Sequence, residues 1–397
     1  MNIDTKSKTK VISIVILSSA FILLVSCSQQ KAEWKGSVEE EDGVTVIKNP
    51  KEPMYEEEVF SLEEELSIRS TEEKEEYMFG YTVSIAVNDN GDIYILDIQQ
   101  KNIRVFDRRG KYVKTIGRPG QGPGEMEMPT QIQITSQNEL VAFDLRRRSL
   151  EYFSLDGEFL RRNPLIKVER PTRIIIDSNG DFICGMGIIE ENRPKVALMK
   201  FNSGQEKEFV ITMFDPFSMF ADPFSPYKYR IIRPGLLFEV TKENNILWAI
   251  SSEYELKILN SEGKTIKILV KDYVPVEITE NDKKEIIFNR YRTETPPEER
   301  NIVFPKYFYP INGNSDIGIS TDEKGNIFVR TYEKAPDSSG YYYDVFDPEG
   351  YFITKVNLKA ASDLPIIWKK NKLYTIEADE EGDQTVKRYK VTWNVKE

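Results

Sequence analysis

Histidine is absent from all 397 residues. That excludes Ser-His-Asp and Cys-His nucleophile systems, histidine-ligated zinc and histidine general bases together. Cysteine is nearly absent too. Cys27 and Cys184 are the only two, so there is no disulfide framework and no paired-cysteine metal or redox site. Positive charge is in the minority, with 54 Lys and Arg against 65 Asp and Glu and a net charge of −11. An acidic surface does not suit a nucleic-acid backbone, which is bound by neutralising its phosphates. Apolar residues at 40% and charged residues at 30% leave enough material for a packed core, so the chain is globular rather than disordered.

The apolar run Val11–Leu24 follows Lys6, Lys8 and Lys10. It falls short of the ~20 residues a transmembrane helix needs and reads as the core of a signal peptide. It ends in Leu24-Val25-Ser26-Cys27, which resembles a bacterial lipobox. The resemblance implies cleavage before Cys27 and lipidation of that residue; the alternative is an ordinary signal peptide with an incidental cysteine. Cleavage would remove residues 1–26, and with them three lysines and one aspartate, leaving the body more acidic still. Residues 27–42, with the acidic run Glu39-Glu40-Glu41-Asp42, read as a flexible tether. Ser28 stands where an aspartate would direct inner-membrane retention, so the sorting rule of Gram-negative lipoproteins implies the outer membrane.

The rest of the chain is a repeat. One unit reads Asn90-Gly91-Asp92, an apolar strand to Asp97, an alternating strand Ile103–Phe106, a turn at Gly110 and a third strand Val113–Ile116. Related units start near residues 138, 180, 244, 325 and 371. Their spacing is roughly the 40–50 residues of a propeller blade, stretched by two insertions. The turns use Gly, Asn and Asp, which tolerate left-handed backbone. An apolar strand ahead of each of the first five starts completes a four-stranded blade: Val83–Val87, 131–134, 174–176, 237–240 and 317–320.

The expected fold is therefore all-β, a single six-bladed β-propeller over residues 43–397. The last unit lacks its outermost strand, and an N-terminal strand is expected to supply it and close the ring. Val44–Lys48 is the candidate. Insertion 211–234 carries Phe214, Phe217, Phe220, Phe224, Tyr227 and Tyr229, suited to stacking on a ligand or to packing on the propeller. Insertion 273–313 contains a helix whose start at Thr279 and Asp282 has the form of a capping box.

The stretch Gly117-Arg118-Pro119-Gly120-Gln121-Gly122-Pro123-Gly124-Glu125, after the strand pair Tyr94–Phe106, resembles an NHL-type repeat. The mature chain as a whole resembles six-bladed propeller lipoproteins of unknown function from Gram-negative bacteria, an NHL-like and TolB-like group. This resemblance implies the fold and no defined substrate.

Loops after the second strand of each blade and loops joining blades should share one face, where binding residues gather. Arg118, Gln121, Glu125, Arg146 and Arg147 are the expected ligand-binding residues, their guanidinium groups suited to an acidic ligand. The alternative is a solvated turn whose arginines pair with nearby glutamates. Asp97, Asp144 and Glu377 occupy equivalent places on adjoining blades and could converge on Ca2+, as in lactonase-like propellers. The competing reading is that Asp97 and Asp144 accept hydrogen bonds from the following turn. Cys184 reads as an inert buried thiol. The expected function is a lipid-anchored binding module for a peptide, glycan or partner protein. The alternative is a metal-dependent lactonase-like hydrolase or a lyase using the channel carboxylates.

Overall fold

The computed structural model describes residues 33–71, 74–215, 228–291, 301–313, 318–335, 340–360, 364–379 and 382–394. Residues 1–32, with the signal peptide and Cys27, lie outside the described residues. Trp34–Glu397 forms one compact unit, and it is a six-bladed β-propeller.

Each blade is an antiparallel sheet whose strands follow one another in space as in sequence. The first blade is Thr82–Val87, Ile93–Asp97, Asn102–Phe106 and Tyr112–Ile116; the second is Pro129–Ile134, Glu139–Asp144, Ser149–Ser154 and Phe159–Pro164. The third is Pro171–Ile176, Phe182–Glu190, Arg193–Phe201 and Lys207–Phe214; the fourth begins Leu236–Val240, Ile246–Ile250, Glu255–Leu259 and Thr265–Lys271. The fifth is Ile319–Thr321, Ile327–Lys334, Tyr341–Phe346 and Phe352–Leu358, and the sixth starts Ile367–Lys369, Lys372–Ala378 and Gln384–Trp393.

The turns repeat one device. Asn88, Asp107, Asp177, Asn260, Asp322 and Asp347 each accept hydrogen bonds from two backbone N–H groups downstream in their own turn. The glycine of the turn takes a left-handed backbone, as at Gly110 with φ 78°.

Strands in this fold are buried on both faces, so many read as continuous apolar runs rather than alternating ones. Every junction between neighbouring blades has its own core. Ile95 and Phe106 meet Tyr374 and Ile376 between the sixth and first blades, and Leu96 and Val105 meet Leu140 and Phe153 between the first and second. Clusters of the same kind fill the other four junctions, and Cys184 is a buried free thiol in one of them. Six junctions with six cores make a closed ring.

Closure is achieved by an N-terminal strand, but not the expected one. Phe60–Arg69 is the outer strand of the sixth blade, antiparallel to Gln384–Trp393. Its central glutamates face a basic strand: Glu64 pairs with Lys387 at 3.1 Å, and Glu65 with Arg388 at 3.1 Å and with Lys372. A register shift between Glu64 and Leu66 turns the strand over. Phe60 and Leu62 therefore pack against the fifth blade, while Leu66 and Ile68 pack towards the first.

Val44–Asn49 lies elsewhere, parallel to Thr265–Lys271 on the outer edge of the fourth blade. Ser37–Glu41 pairs with it through the Asp42-Gly43 turn, so the part of the expected tether at 37–41 is instead an exposed edge strand of a six-stranded sheet. Buried Asn49 secures this hairpin. Its side chain accepts from Trp34 and from the Phe352 amide and donates to the Gly350 carbonyl. Met54 and Tyr55 then hydrogen-bond along the outer strand of the fifth blade. The N-terminal segment thus straps three consecutive blades.

Candidate functional site

The ends of the second strands and the blade-joining segments lie at one end of the blades, as the strand order requires. The Arg118–Glu125 loop and the Arg146–Arg148 turn meet there. Arg147 is partly buried: it donates to the Gly120 and Glu125 carbonyls at 2.6 and 2.9 Å and pairs with Glu127 at 3.4 Å. Gln121 donates to the same Glu127, and Arg118, 75% exposed, pairs with Glu125 at 2.9 Å. Arg118 and the Gly122 amide hold the Glu125 carboxyl below its ordinary range, the amide contributing more. Arg146 is exposed. Four of the five expected ligand-binding residues are thus gathered, but into pairs with one another and with Glu127. The cluster clasps the joining loop onto the second blade. Of the aromatic insertion, Phe214 packs at the junction of the third and fourth blades, and 216–227 lie outside the described residues.

Asp97 and Asp144 are fully buried and perform one task in successive blades. Asp97 accepts from the amides of Gly80, Tyr81, Gln99 and Gln100 and pairs with Arg104 at 3.0 Å. Asp144 accepts from the amides of Glu127, Met128 and Arg147. Each carboxylate ties the incoming blade connection to the turn beyond its own strand. Glu377 is engaged within its own blade by Thr375, Tyr389 and Lys387. Burial and Glu377 raise the Tyr389 phenol far above its ordinary value. Among the described residues, no three or more acidic or thiol side chains are placed to share a metal ion.

The innermost strands enclose a channel with a cavity of about 620 Å3. Its polar groups are largely satisfied across blade junctions. Gln131 and Gln133 each both donate to and accept from the backbone of the next innermost strand, at Ile174 and Ile176. Arg173 bridges to Glu239 at 2.9 Å.

A second cavity, of about 380 Å3, lies at the loop end between the fourth and fifth blades, beneath insertion 273–313. The described parts of that insertion are tied down at several points. Residues 276–278 pair with 306–308 through two backbone hydrogen bonds and a bridge. Thr279 and Asp282 cap the helix Glu280–Tyr291 reciprocally, and Lys334 of the fifth blade holds Asp282 and Glu285. Phe308 stacks on Tyr332 at 4.1 Å, and buried Arg330 donates to the Asn312 carbonyl and side chain. Lys228–Arg230 pairs in parallel with Asn301–Val303, joining the two insertions.

The cavity lining includes a buried triad, Lys271, Asp344 and Tyr254. Asp344 is 1% exposed and Lys271 5%. One carboxylate oxygen of Asp344 accepts from the Tyr254 hydroxyl and pairs with Lys271 at 3.3 Å. The other, Oδ1, is buried and has no hydrogen-bond partner. The Lys271 ammonium also lies 4.5 Å from the Phe352 ring centre. Burial lowers the Lys271 pKa against the pull of Asp344; burial and then Asp344 raise the Tyr254 phenol. Glu333 and Lys355 form an ion pair on the wall, and Tyr273 and Tyr309 come from the insertion. Sequence reasoning placed its candidate site on this same face, at the first and second blades. The available signal was a lone carboxylate within the apolar strand Tyr341-Tyr342-Tyr343-Asp344-Val345-Phe346.

A family model described as DUF5128, 6-bladed beta-propeller, matches residues 40–167, from the N-terminal hairpin through the second blade. Two solved structures share the architecture. A protein from Bacteroides fragilis, described as exported, superposes with a TM-score of 0.53 at 12% identity, over 88% of this chain and 99% of that one. A DUF4221 family member from Bacteroides vulgatus does so with a TM-score of 0.50 at 14% identity, over 84% and 99%. No curated protein matches. Sequence, model and neighbours agree on the class: this chain is a six-bladed β-propeller, similar at its N-terminal third to the DUF5128 propellers.

Proposed function

We propose that this protein is a binding module of the cell envelope that holds a ligand in the cavity between the fourth and fifth blades. The observation that carries the reading is Asp344, a residue of the cavity lining whose Oδ1 is a buried acceptor without a partner. Leaving a buried charged acceptor unmade is costly, and a ligand donor would remove that cost. The described parts of the insertion above it are held by Arg330, Lys334 and the Phe308–Tyr332 stack, which supports a site formed by the fold itself. Attachment belongs to the same proposal. The lysine-led apolar segment and the Leu24–Cys27 motif support export and lipidation at Cys27, and Ser28 supports the outer membrane. Among the described residues no helix is long and apolar enough to cross a membrane.

Two measurements test the proposal. In cells making the full chain, Cys27→Ser should move the protein from the washed membrane fraction to the soluble one; retention would refute lipidation. Thermal unfolding of the mature chain should be screened against neutral sugars, amino acids, dipeptides and organic acids. At least one class should raise the unfolding temperature, and less so for Asp344→Asn. A screen with no response from any class would overturn the binding reading.

A further inference from the structure

We infer that the ligand of this cavity is a neutral saccharide unit, held by hydroxyl groups between Asp344 and Lys271; the inference rests on the binding reading above. Charge balance is the first argument. The ionic side chains of the lining are Lys51, Lys271, Lys355, Glu52, Glu333 and Asp344, three of each sign, and they are paired with one another. A charged ligand would have to displace an ion pair in a partly enclosed space, where the released charge is poorly solvated. A neutral ligand leaves every pair in place.

The second argument is the kind of hydrogen bonding on offer. Asp344 Oδ1 requires a donor, and Lys271 beside it is a donor only. A hydroxyl can serve both, donating one hydrogen to the carboxylate and offering lone pairs to an ammonium that already has Asp344 and the Asp272 carbonyl as acceptors. An ammonium group fits less well. Lys271 already sits 3.3 Å from the other oxygen of the same carboxylate, and a second cation at Oδ1 would be repelled by it.

The third argument is the wall. Tyr254, Tyr273, Tyr309 and Tyr332 line the same cavity. Tyrosine offers an apolar ring face with a polar tip, which matches the apolar C–H face and polar rim of a sugar ring. The volume of about 380 Å3 is at the small end of the ~300–1,000 Å3 range of ligand cavities, room for one or two rings and not for a long chain.

The test is calorimetric titration of the mature protein with methyl glycosides of glucose, galactose and mannose and with maltose and cellobiose. Glycine, diglycine and acetate are titrated in parallel. At least one sugar should bind at a single site. Tyr273→Ala, a change at a 42% exposed residue, should weaken that binding about tenfold or more without lowering the unfolding temperature. Asp344→Asn should weaken it by at least as much, and the Tyr273 variant keeps the test valid should Asp344→Asn fail to fold. Binding of glycine, diglycine or acetate with no sugar bound would overturn the saccharide inference and leave the binding reading standing. Silence from every probe, here and in the wider screen, would overturn both. Sugar binding unchanged by Tyr273→Ala would also overturn the inference, because the sugar would then occupy another place.

Discussion

Asp97 carries a full charge in a place that water does not reach, and four backbone amides and Arg104 are arranged around it. Replacing it with alanine strands a buried guanidinium and orphans those amides. The expected loss is about 3–5 kcal/mol in denaturant unfolding, the scale for breaking a buried ion pair. Arg118→Ala makes the contrast: its partner Glu125 keeps the Gly122 amide, and an exposed, solvent-screened pair of this kind contributes little, so this variant should unfold close to the parent. Similar losses for the two variants would show that the Asp97 clasp is not what holds the blade connection. Sequence alone offered both roles for these residues. Spacing shows that Asp97 and Asp144 are equivalent, but not whether their oxygens face a ligand or amides brought back from another part of the chain.

At the scale of elements, the strand that closes the ring was hidden by its own composition. Phe60, Leu62, Leu66 and Ile68 have the right alternation, but Glu63-Glu64-Glu65 between them reads as part of an acidic run. What makes those glutamates strand residues is Lys372, Lys387 and Arg388, more than three hundred positions away. Val44–Lys48 looked like the free strand because it is apolar, and it is indeed a strand. Its partner is the fourth blade, and the Asp42-Gly43 turn was the local sign of its hairpin.

Two outcomes follow for this strand. A chain beginning at Lys51 should keep a single cooperative transition and lose about 3–6 kcal/mol for the buried Val46 and Ile47. A chain beginning at Thr71 should lose that transition altogether, and equal behaviour of the two would contradict the assignment of Phe60–Arg69 as the closing strand.

Acid should act on the same strand. Lys372, with Arg388, holds the Glu65 pKa below its ordinary value of 4.5. A carboxylate with a depressed folded pKa stabilises above its unfolded pKa, and that stability is lost as pH falls through the folded one. Amide exchange in 60–69, corrected for its intrinsic pH dependence, should therefore rise below about pH 4.5 before exchange in the first blade does. Exchange rising first in the first blade would place the weak point elsewhere.

For the molecule as a whole, the blade count was legible because turns rich in Asn, Asp and Gly recur at blade spacing around strands of constrained length. The cavity between the fourth and fifth blades was not, because it is assembled from five separated stretches: Lys51-Glu52, Tyr254, Lys271–Val276, Tyr309-Pro310 and Thr331–Lys355. Packing of the fourth blade on the fifth, and the return of the N-terminal segment across their outer strands, bring these stretches together. Under the proposed function this junction, and not the arginine cluster of the second blade, is where the protein meets its ligand. Hydrogen exchange followed by mass spectrometry, with and without a saturating amount of the tightest-binding saccharide, tests it most directly. The prediction is protection confined to residues 51–55, 251–276, 305–313 and 328–355. Protection centred on 116–131 and 144–149, or on no segment at all, would contradict it.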